Sequence, residues 1–498
     1  MKLLKWLKRY QTILTIQFIA SALLFYRAHK MNMLPFKYEV ILAVILLLLW
    51  IIMLKLSKPK KRKYRHEKRK KLRPAIGKFL SILLSIAMIF ASNMLAKTNG
   101  AIAKITNVSY ETTVISLITL KNRGVNQPKD LNNKTIGITT EVNESKVSEA
   151  ASKLSDKIDF KTKKYDDFAK LADALYDHKV SAILIDQSYD TMFLEKHLNF
   201  ANETQTIWTY KIKVPVSNTR SDIDVTKEPF TILISGVDSR GDVSEKSRSD
   251  VNMLVTVNPK THNILMTSLP RDTFVKIYGI NGRDKLTHAG LFGTKAVEKT
   301  IENFMDIKID FTARVGFQSV IKIVDALDGI DVYSDKAFTS YADSTIHFVK
   351  GTMHMDGRQA LAFARERHAY TTGDLHRNQN QIAVMHAILK KVLDPSILAN
   401  YSDLMDAISG TFQTTLQAGD ISALIKMQLN SNPKWNVQHS ILAGSSRKRK
   451  GGYMMPKTAI YYFIADESSI KQNREYINDI REGKTVTVTS SDANGISQ

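Results

Sequence analysis

The 498-residue chain contains no cysteine. Disulfide staples, thiolate metal sites and cysteine nucleophiles are thereby excluded; the absence suits an exported domain that avoids unpaired thiols and equally suits a reducing compartment. Acidic counter-charge is scarce as well, but only at one end. Residues 1–73 carry nineteen Lys and Arg against Glu39 and Glu67, so +17 of the formal net charge of +23 lies in that stretch. Past it the excess is small. A nucleic-acid reading based on overall basicity loses its support, and no helix-turn-helix pattern accompanies the basic run. The first apolar run also lacks a small-x-small cleavage site at its end and is followed directly by Arg27, which argues against a removed signal peptide.

Three apolar runs are present at this end, at 12–26, 40–54 and 79–96. Each comes close to the roughly 20 residues of a spanning helix, which predicts spans at about 11–27, 39–56 and 76–97 within a membrane region 1–97. Between the second and third, eleven of the sixteen residues 58–73 are Lys or Arg. Such a block resists translocation and fixes the loop 57–75 in the cytoplasm. With Lys2, Lys5, Lys8 and Arg9 also inside, a multi-pass protein of the cell membrane is expected, its residues after about 97 extracellular.

Two units are expected outside. In 98–225, strands at 134–139 and 180–185 alternate with helical spacing at 145–154 and 165–176, an accessory α/β domain with parallel pairing and right-handed crossovers. This segment resembles one lobe of an extracellular solute-binding protein, most of all in Tyr165-Asp-Asp-Phe and Ser181-Ala-Ile-Leu-Ile-Asp186, and reads as scaffold or protein contact. Polar residues 217–228 and Pro229 mark a linker. Residues 226–485 then form an α/β or α+β sheet-and-helix domain, with strands at 230–236, 251–258, 262–269, 311–315 and 330–332. Its helices are expected at 295–305, 317–327, 356–362 and 380–393, and its ligands at strand ends and loops. Residues 486–498 read as a disordered tail.

The chemistry sits in four short blocks of that domain: Ser235-Gly-Val-Asp238 with Ser247-Arg-Ser-Asp250, Leu269-Pro-Arg271-Asp272, Phe363-Ala-Arg365-Glu-Arg367, and Gly373-Asp374-Leu-His-Arg377 through Gln381. Guanidinium groups bind phosphate oxygens in a planar fork, and a carboxylate pair is what a hard cation such as Mg²⁺ seeks. Taken singly, each arginine is more often a salt-bridged surface residue. Converging, they would need anionic company, supplied in part by Asp250, Asp272, Glu366 and Asp374 and otherwise by a metal-bound diphosphate. Arg365 and Arg367 share a face only in an extended segment, so if both bind one ligand the helix from Asp356 should end near Ala362–Phe363.

These blocks resemble the LytR-CpsA-Psr family of bacterial envelope proteins. Lys285-Leu-Thr-His288-Ala-Gly290 and Asp328-Gly-Ile-Asp331 add to the likeness, and the layout of three spans, accessory domain and family domain is similar to that of its capsule-associated CpsA members. The resemblance implies a phosphotransferase assisted by Mg²⁺ or Mn²⁺. It would move a glycopolymer, capsular polysaccharide first among the choices and wall teichoic acid next, from a polyprenyl (undecaprenyl) pyrophosphate carrier to peptidoglycan. By the same analogy Asp238 and Asp250 hold the metal, and Arg248, Arg271, Arg365, Arg367, Arg377 and Gln381 hold the pyrophosphate. Arg271, Arg365 and Arg367 act in catalysis with Asp374 as candidate general base and Asp272 in reserve; His288 reads as structural or orienting. The partners implied are the lipid-linked polysaccharide, peptidoglycan, the membrane and other capsule-assembly proteins, with no nucleic acid.

A lipid tail needs an apolar trough, for which Val297, Ile301 and Phe304, Val320, Ile321 and Val324, and Ile382, Met385 and Ile388 are apolar at helical spacing, as core residues also are. The alternative to an enzyme is a non-catalytic sensor of polyprenyl phosphate that regulates capsule or wall-polymer synthesis through the same arginines.

Overall fold

The computed structural model describes residues 9–59, 72–106, 110–139, 142–216, 220–237, 242–371 and 373–488. Helices Tyr10–Met31, Phe36–Ser57 and Leu72–Thr106 pack side by side through Ala20, Leu46 and Met88. Gly77 permits the contact between the last two, since a Cβ there would lie 2.7 Å from Ser57 N. Phe36–Ser57 and Leu72–Thr106 are long and apolar enough to cross a membrane and suggest a membrane anchor. Tyr10–Met31, where the 11–27 span was expected, falls short of that measure because Gln11, Gln17, Arg27, His29 and Lys30 dilute it. Most of the basic loop, residues 60–71, lies outside the described residues.

The third helix does not stop at residue 97, where the membrane region was expected to end. It runs on to Thr106, and its last turns bury Ala101, Ile102 and Ile105 against Val324, Leu327 and Ile330 of the family-like domain. The turn after Tyr10–Met31 is held at the same end. Ser422 Oγ donates to Met31 O at 3.3 Å, Lys426 Nζ to Asn32 Oδ1 at 3.1 Å, and Lys37 Nζ to Asn430 O at 2.8 Å.

The accessory unit therefore begins at Tyr110. Its five-stranded sheet has the order Phe160–Tyr165, Lys134–Thr139, Ala182–Asp186, Tyr110–Leu120, Thr204–Pro215. The first three strands are mutually parallel, as the alternation with helices predicts. Helix Phe168–Tyr176 covers the face of Ile183 and Ile185, and Glu144–Ser155 the face of Leu184, because successive strand side chains alternate. Sequence patterning missed Phe160–Tyr165, whose last residue was expected to begin a helix, as well as Tyr110–Leu120 and Thr204–Pro215; the last two pair antiparallel with each other and, through Tyr110–Leu120, with Ala182–Asp186. The sheet is thus mixed.

The second unit is built on a six-stranded sheet of order Phe412–Thr414, Phe311–Gly316, Phe230–Val237, Ser249–Asn258, Asn263–Ser268, Asn436–Ile441. Phe230–Val237 runs parallel to Phe311–Gly316, and Asn263–Ser268 parallel to Asn436–Ile441, so these four strands end at one edge of the sheet. Helices Thr294–Met305 and Glu467–Glu482 cover one face through Leu233, Leu254 and Leu265. Helices Asp374–Leu393 and Ala418–Ser431 cover the other against Phe230, Val255 and Met266.

Packing on that second face is incomplete. A cavity of about 380 Å³ with almost wholly apolar walls remains between Ile232, Ile234, Val255 and Met266 of the sheet and Met385, Leu389, Leu404 and Leu424 of the helices. Of the nine trough candidates, Met385 alone is on its wall. Val297 and Ile301 belong to the core on the opposite face, Val324 to a third cluster, and Ile382 is fully buried. Helical spacing identified buried faces without distinguishing which of them packs against a gap.

The two units are locked together by main chain and charge. Thr112 N–H donates to Ser244 O and Lys246 N–H to Thr112 O, both at 2.8 Å. Beside this ladder the buried Glu111 carboxylate lies 3.8 Å from Arg314 Nη1 and 3.9 Å from Lys246 Nζ, and accepts the Thr294 N–H at 2.6 Å.

Candidate active site

The parallel strand ends open into a polar cavity of about 520 Å³, walled by Arg248, Arg271, Asp272, Lys285, Arg367 and Asp374 among others. Arg248, Arg271, Asp272 and Arg367 come from loops, Lys285 ends the short strand Arg283–Lys285 and Asp374 opens helix Asp374–Leu393, at the kind of sheet edge where open α/β folds hold ligands. Arg271 is the hub. Its Nη1 donates to Asp250 Oδ2 at 2.9 Å, its Nε lies 3.7 Å from Asp272 Oδ2 and its Nη2 3.7 Å from Asp374 Oδ1. Asp374 also accepts from Arg377 Nη2 at 3.1 Å, and Asp272 pairs with Lys285 Nζ at 3.1 Å.

The Lys285-to-Gly290 motif explains itself locally. A Cβ at Gly290 would lie 2.4 Å from Ser247 O, so only glycine lets this backbone close on the 247–249 segment. That closure delivers Thr287 Oγ1 to Asp250 Oδ1 at 2.8 Å. Burial by itself would raise the Asp250 pKa, but Arg271, Arg248 and Arg377 hold it well below the usual carboxylate range. Burial, and after it the neighbouring Arg271, push the Arg377 guanidinium below its ordinary value, and its Nε is buried without a hydrogen-bond partner. Arg248, Arg271, Lys285, Arg367 and Arg377 thus face Asp250, Asp272 and Asp374, five cations to three carboxylates. A dianion would complete the balance.

Glu366 does not share in that balance. Buried, it accepts the N–H groups of Tyr341, Arg367, His368 and Ala369, which hold its pKa low against the opposing effect of burial. It shapes the turn that presents Arg367. Helix Gly357–Arg365 ends two residues later than the shared-ligand argument required, although it does not continue through His368. Arg365 therefore sits on the last helical turn with its guanidinium 4.5 Å from the centre of the Phe317 ring, away from the cavity wall. Gln381, on helix Asp374–Leu393 one turn past Arg377, is also not on the wall. Arg248, Arg271, Arg367, Arg377 and Asp374 are brought together; Arg365 and Gln381 are not.

Asp238 lies outside the described residues. Among the described residues no group of three or more His, Asp or Glu is placed to hold a metal ion. Asp250, Asp272 and Asp374 are hard oxygen donors tied to one guanidinium, and each Asp250 oxygen already accepts one hydrogen bond. This donor set fits Mg²⁺ of the kind that takes one or two carboxylates and fills its shell with phosphate oxygens and water.

Several wall residues were not foreseen. Lys285 and Thr287 lay in a motif noted for likeness alone. His288 Nδ1 lies 3.0 Å from Asp284 Oδ1, within ion-pair range but without hydrogen-bond geometry, and the i, i+4 spacing was the available signal. Asp284 is buried, which would raise its pKa, but the His288 ring and the Met454 and Lys285 N–H groups lower it. Asp328-Gly329, by contrast, is a turn with both residues at positive φ that feeds strand Ile330–Ser334, a structural role. Thr191 and Met192 of the accessory unit also reach the cavity wall, which no sequence signal announced.

The LytR_cpsA_psr family model matches residues 193–479. This chain belongs to the LytR-CpsA-Psr family. A protein of Bacillus mycoides (strain KBAB4) named polyisoprenyl-teichoic acid–peptidoglycan teichoic acid transferase TagU is 36% identical over 241 residues, covering 48% of this chain and 75% of its own. One of the same name from Bacillus cereus (strain AH820) is 33% identical over 299 residues, covering 56% and 93%. Among solved structures, B. subtilis TagV is 28% identical, covers 52% of this chain and 99% of that one, and has a TM-score of 0.45. The family match starts inside the accessory unit, at Phe193, so the LytR-CpsA-Psr region and the six-stranded sheet do not share an N-terminal boundary.

Proposed function

We propose that the chain is a membrane-anchored, extracellular phosphotransferase that transfers a glycopolymer with its phosphate from a polyprenyl pyrophosphate carrier to a peptidoglycan hydroxyl. One observation carries this reading. Helix Asp374–Leu393 contributes Asp374 and Arg377 to the charged cluster and Met385 and Leu389 to the apolar cavity. Eleven residues of helix at about 1.5 Å each separate the two ends by roughly 16 Å. A headgroup needing cations and a tail needing a dry trough are thus served by one helix. The names of its relatives point to the same reaction class.

Chemically, the acceptor oxygen bonds to the polymer-side phosphorus while the bridging P–O bond to the carrier breaks, releasing polyprenyl monophosphate. Arg271, Arg248 and Arg367 hold equatorial and leaving oxygens, which is most of what phosphoryl transfer asks of a protein. Asp374, on the wall, takes the acceptor proton. Arg377 and Asp250 fix Arg271 and Asp374 in place, and Arg365 reaches the ligand only by leaving Phe317. Mg²⁺ or Mn²⁺ bound through Asp250, with Asp238, would neutralise charge on the diphosphate. Capsular polysaccharide is the polymer favoured by the accessory-domain layout. The N-terminal helices act as three spans with a cytoplasmic N-terminus, in keeping with both outer turns touching the globular part.

The test uses the full chain in detergent with lipid-linked polymer, peptidoglycan and Mg²⁺. Metal-dependent release of polyprenyl phosphate, lost in Asp250→Ala, is expected. Tight lipid binding without turnover in the presence of acceptor would instead make it a sensor.

A further inference from the structure

Two residues on the wall of the polar cavity, Thr191 and Met192, belong to the accessory unit. They lie on the 3₁₀ helix Gln187–Glu195, just ahead of the region shared with the family, which begins at Phe193. Their position is fixed. Asp186 accepts the Ser188 N–H at 3.1 Å at the start of that helix, the Phe168 ring stacks on Tyr189 and meets Phe193 edge-on, and Met192 is buried in one cluster with Leu291 and Met454. The Thr191 hydroxyl oxygen is shielded from solvent and, among the described residues, has no hydrogen-bond partner. On a polar wall such a group commonly bonds water. Its surroundings are not wholly polar, because Met192 and Met455 both border the cavity and both pack on the accessory core. A hydroxyl beside two thioethers matches an acetamido group, whose amide bonds the hydroxyl while its methyl rests on a soft, apolar surface.

We infer that Thr191 and Met192 are the accessory unit's share of the acceptor site and hold the acetamido group of an N-acetylated glycan. The inference rests on the transferase reading and gives the accessory unit the recognition of the acceptor sugar. Position favours acceptor over donor. The accessory unit meets the start of helix Thr294–Met305, through Glu111 on the Thr294 N–H and through Leu291, and that helix covers the face of the sheet opposite the apolar cavity. With the carrier lipid in that cavity, the leaving phosphate departs toward one face. In-line displacement brings the attacking oxygen from the other.

The full chain in detergent, saturated with farnesyl pyrophosphate, is titrated calorimetrically with chitotetraose and with cellotetraose, two neutral glycans that differ in acetamido against hydroxyl. Chitotetraose is expected to bind about tenfold more tightly. Thr191→Val, similar in shape, is expected to weaken chitotetraose by about tenfold by leaving its amide unpaired, with cellotetraose and farnesyl pyrophosphate binding as before. Thr191→Ser keeps the hydroxyl and is expected to keep the preference, which a role in packing alone would not track. Equal binding of the two glycans by the unmodified chain, or an undiminished preference in Thr191→Val, overturns the acetamido site, while retained farnesyl pyrophosphate binding leaves the transferase reading standing. A Thr191→Val chain that loses farnesyl pyrophosphate instead of glycan puts the hydroxyl on the donor and also overturns it. Failure of the unmodified chain to bind farnesyl pyrophosphate overturns the transferase reading and the acceptor site with it.

Discussion

Two buried charge clusters lie in the family-like domain and look alike in sequence. At the interface with the accessory unit, Arg314 and Lys246 meet Glu111, and Arg314 Nη2 also donates to Glu245 O at 2.7 Å. At the sheet edge, Arg271 and its neighbours meet Asp250, Asp272 and Asp374. The first cluster joins the two units: its carboxylate is spent on a main-chain N–H, a lysine and an arginine. The second keeps more cations than carboxylates and borders an open cavity of about 520 Å³. Burial of an arginine therefore says little about ligands, whereas surplus charge beside open volume says a great deal.

Breaking each cluster separates them. Glu111→Ala leaves Arg314 buried without its carboxylate and is expected to lower unfolding stability by about 3–5 kcal/mol, read by denaturant titration. Arg271→Ala should act on transfer instead, cutting the rate by roughly 10²–10³ with a much smaller shift in thermal midpoint. Arg271→Lys should restore only part of it, because the fork is lost. Comparable stability losses in both alanine variants would erase the distinction.

Titration sharpens the contrast by a third site that serves neither cluster. Burial first, and the neighbouring His386, lower the His439 pKa to about 4. An unfolded histidine titrates near about 6.5, so between those values the unfolded chain binds the extra proton and folding stability falls as pH drops, by about 3 kcal/mol in all. His439→Gln should flatten that slope. Smallest in effect, Leu424→Trp narrows the apolar cavity and should weaken a long polyprenyl donor by about tenfold, with less effect on a farnesyl one.

Much of the fold was readable. Helices Glu144–Ser155 and Thr294–Met305 came within a residue of expectation because one apolar stripe at helical period faces one sheet. Strand Tyr110–Leu120 was missed because it is buried on both faces and shows no two-residue alternation, whereas Thr204–Pro215 does alternate at Tyr210, Ile212 and Val214, a signal that was available. At the site, residue types sufficed to name Arg248, Arg271, Arg367, Arg377, Asp250 and Asp374. They did not reveal that Arg365 stacks on Phe317, that Glu366 is consumed by four backbone N–H groups, or that Met192 crosses from the accessory unit. Those facts depend on where a helix stops and on contacts between distant segments, which short motifs do not encode.

On this reading one lipid diphosphate spans the charged cluster and the apolar cavity. Mass spectrometry of lipid retained by the detergent-solubilised full chain tests it most directly. Polyprenyl phosphate or pyrophosphate bound to the unmodified protein and absent from Arg271→Ala is the expected result. Retention of the same lipid by Arg271→Ala, or of none by the unmodified protein, would contradict the account.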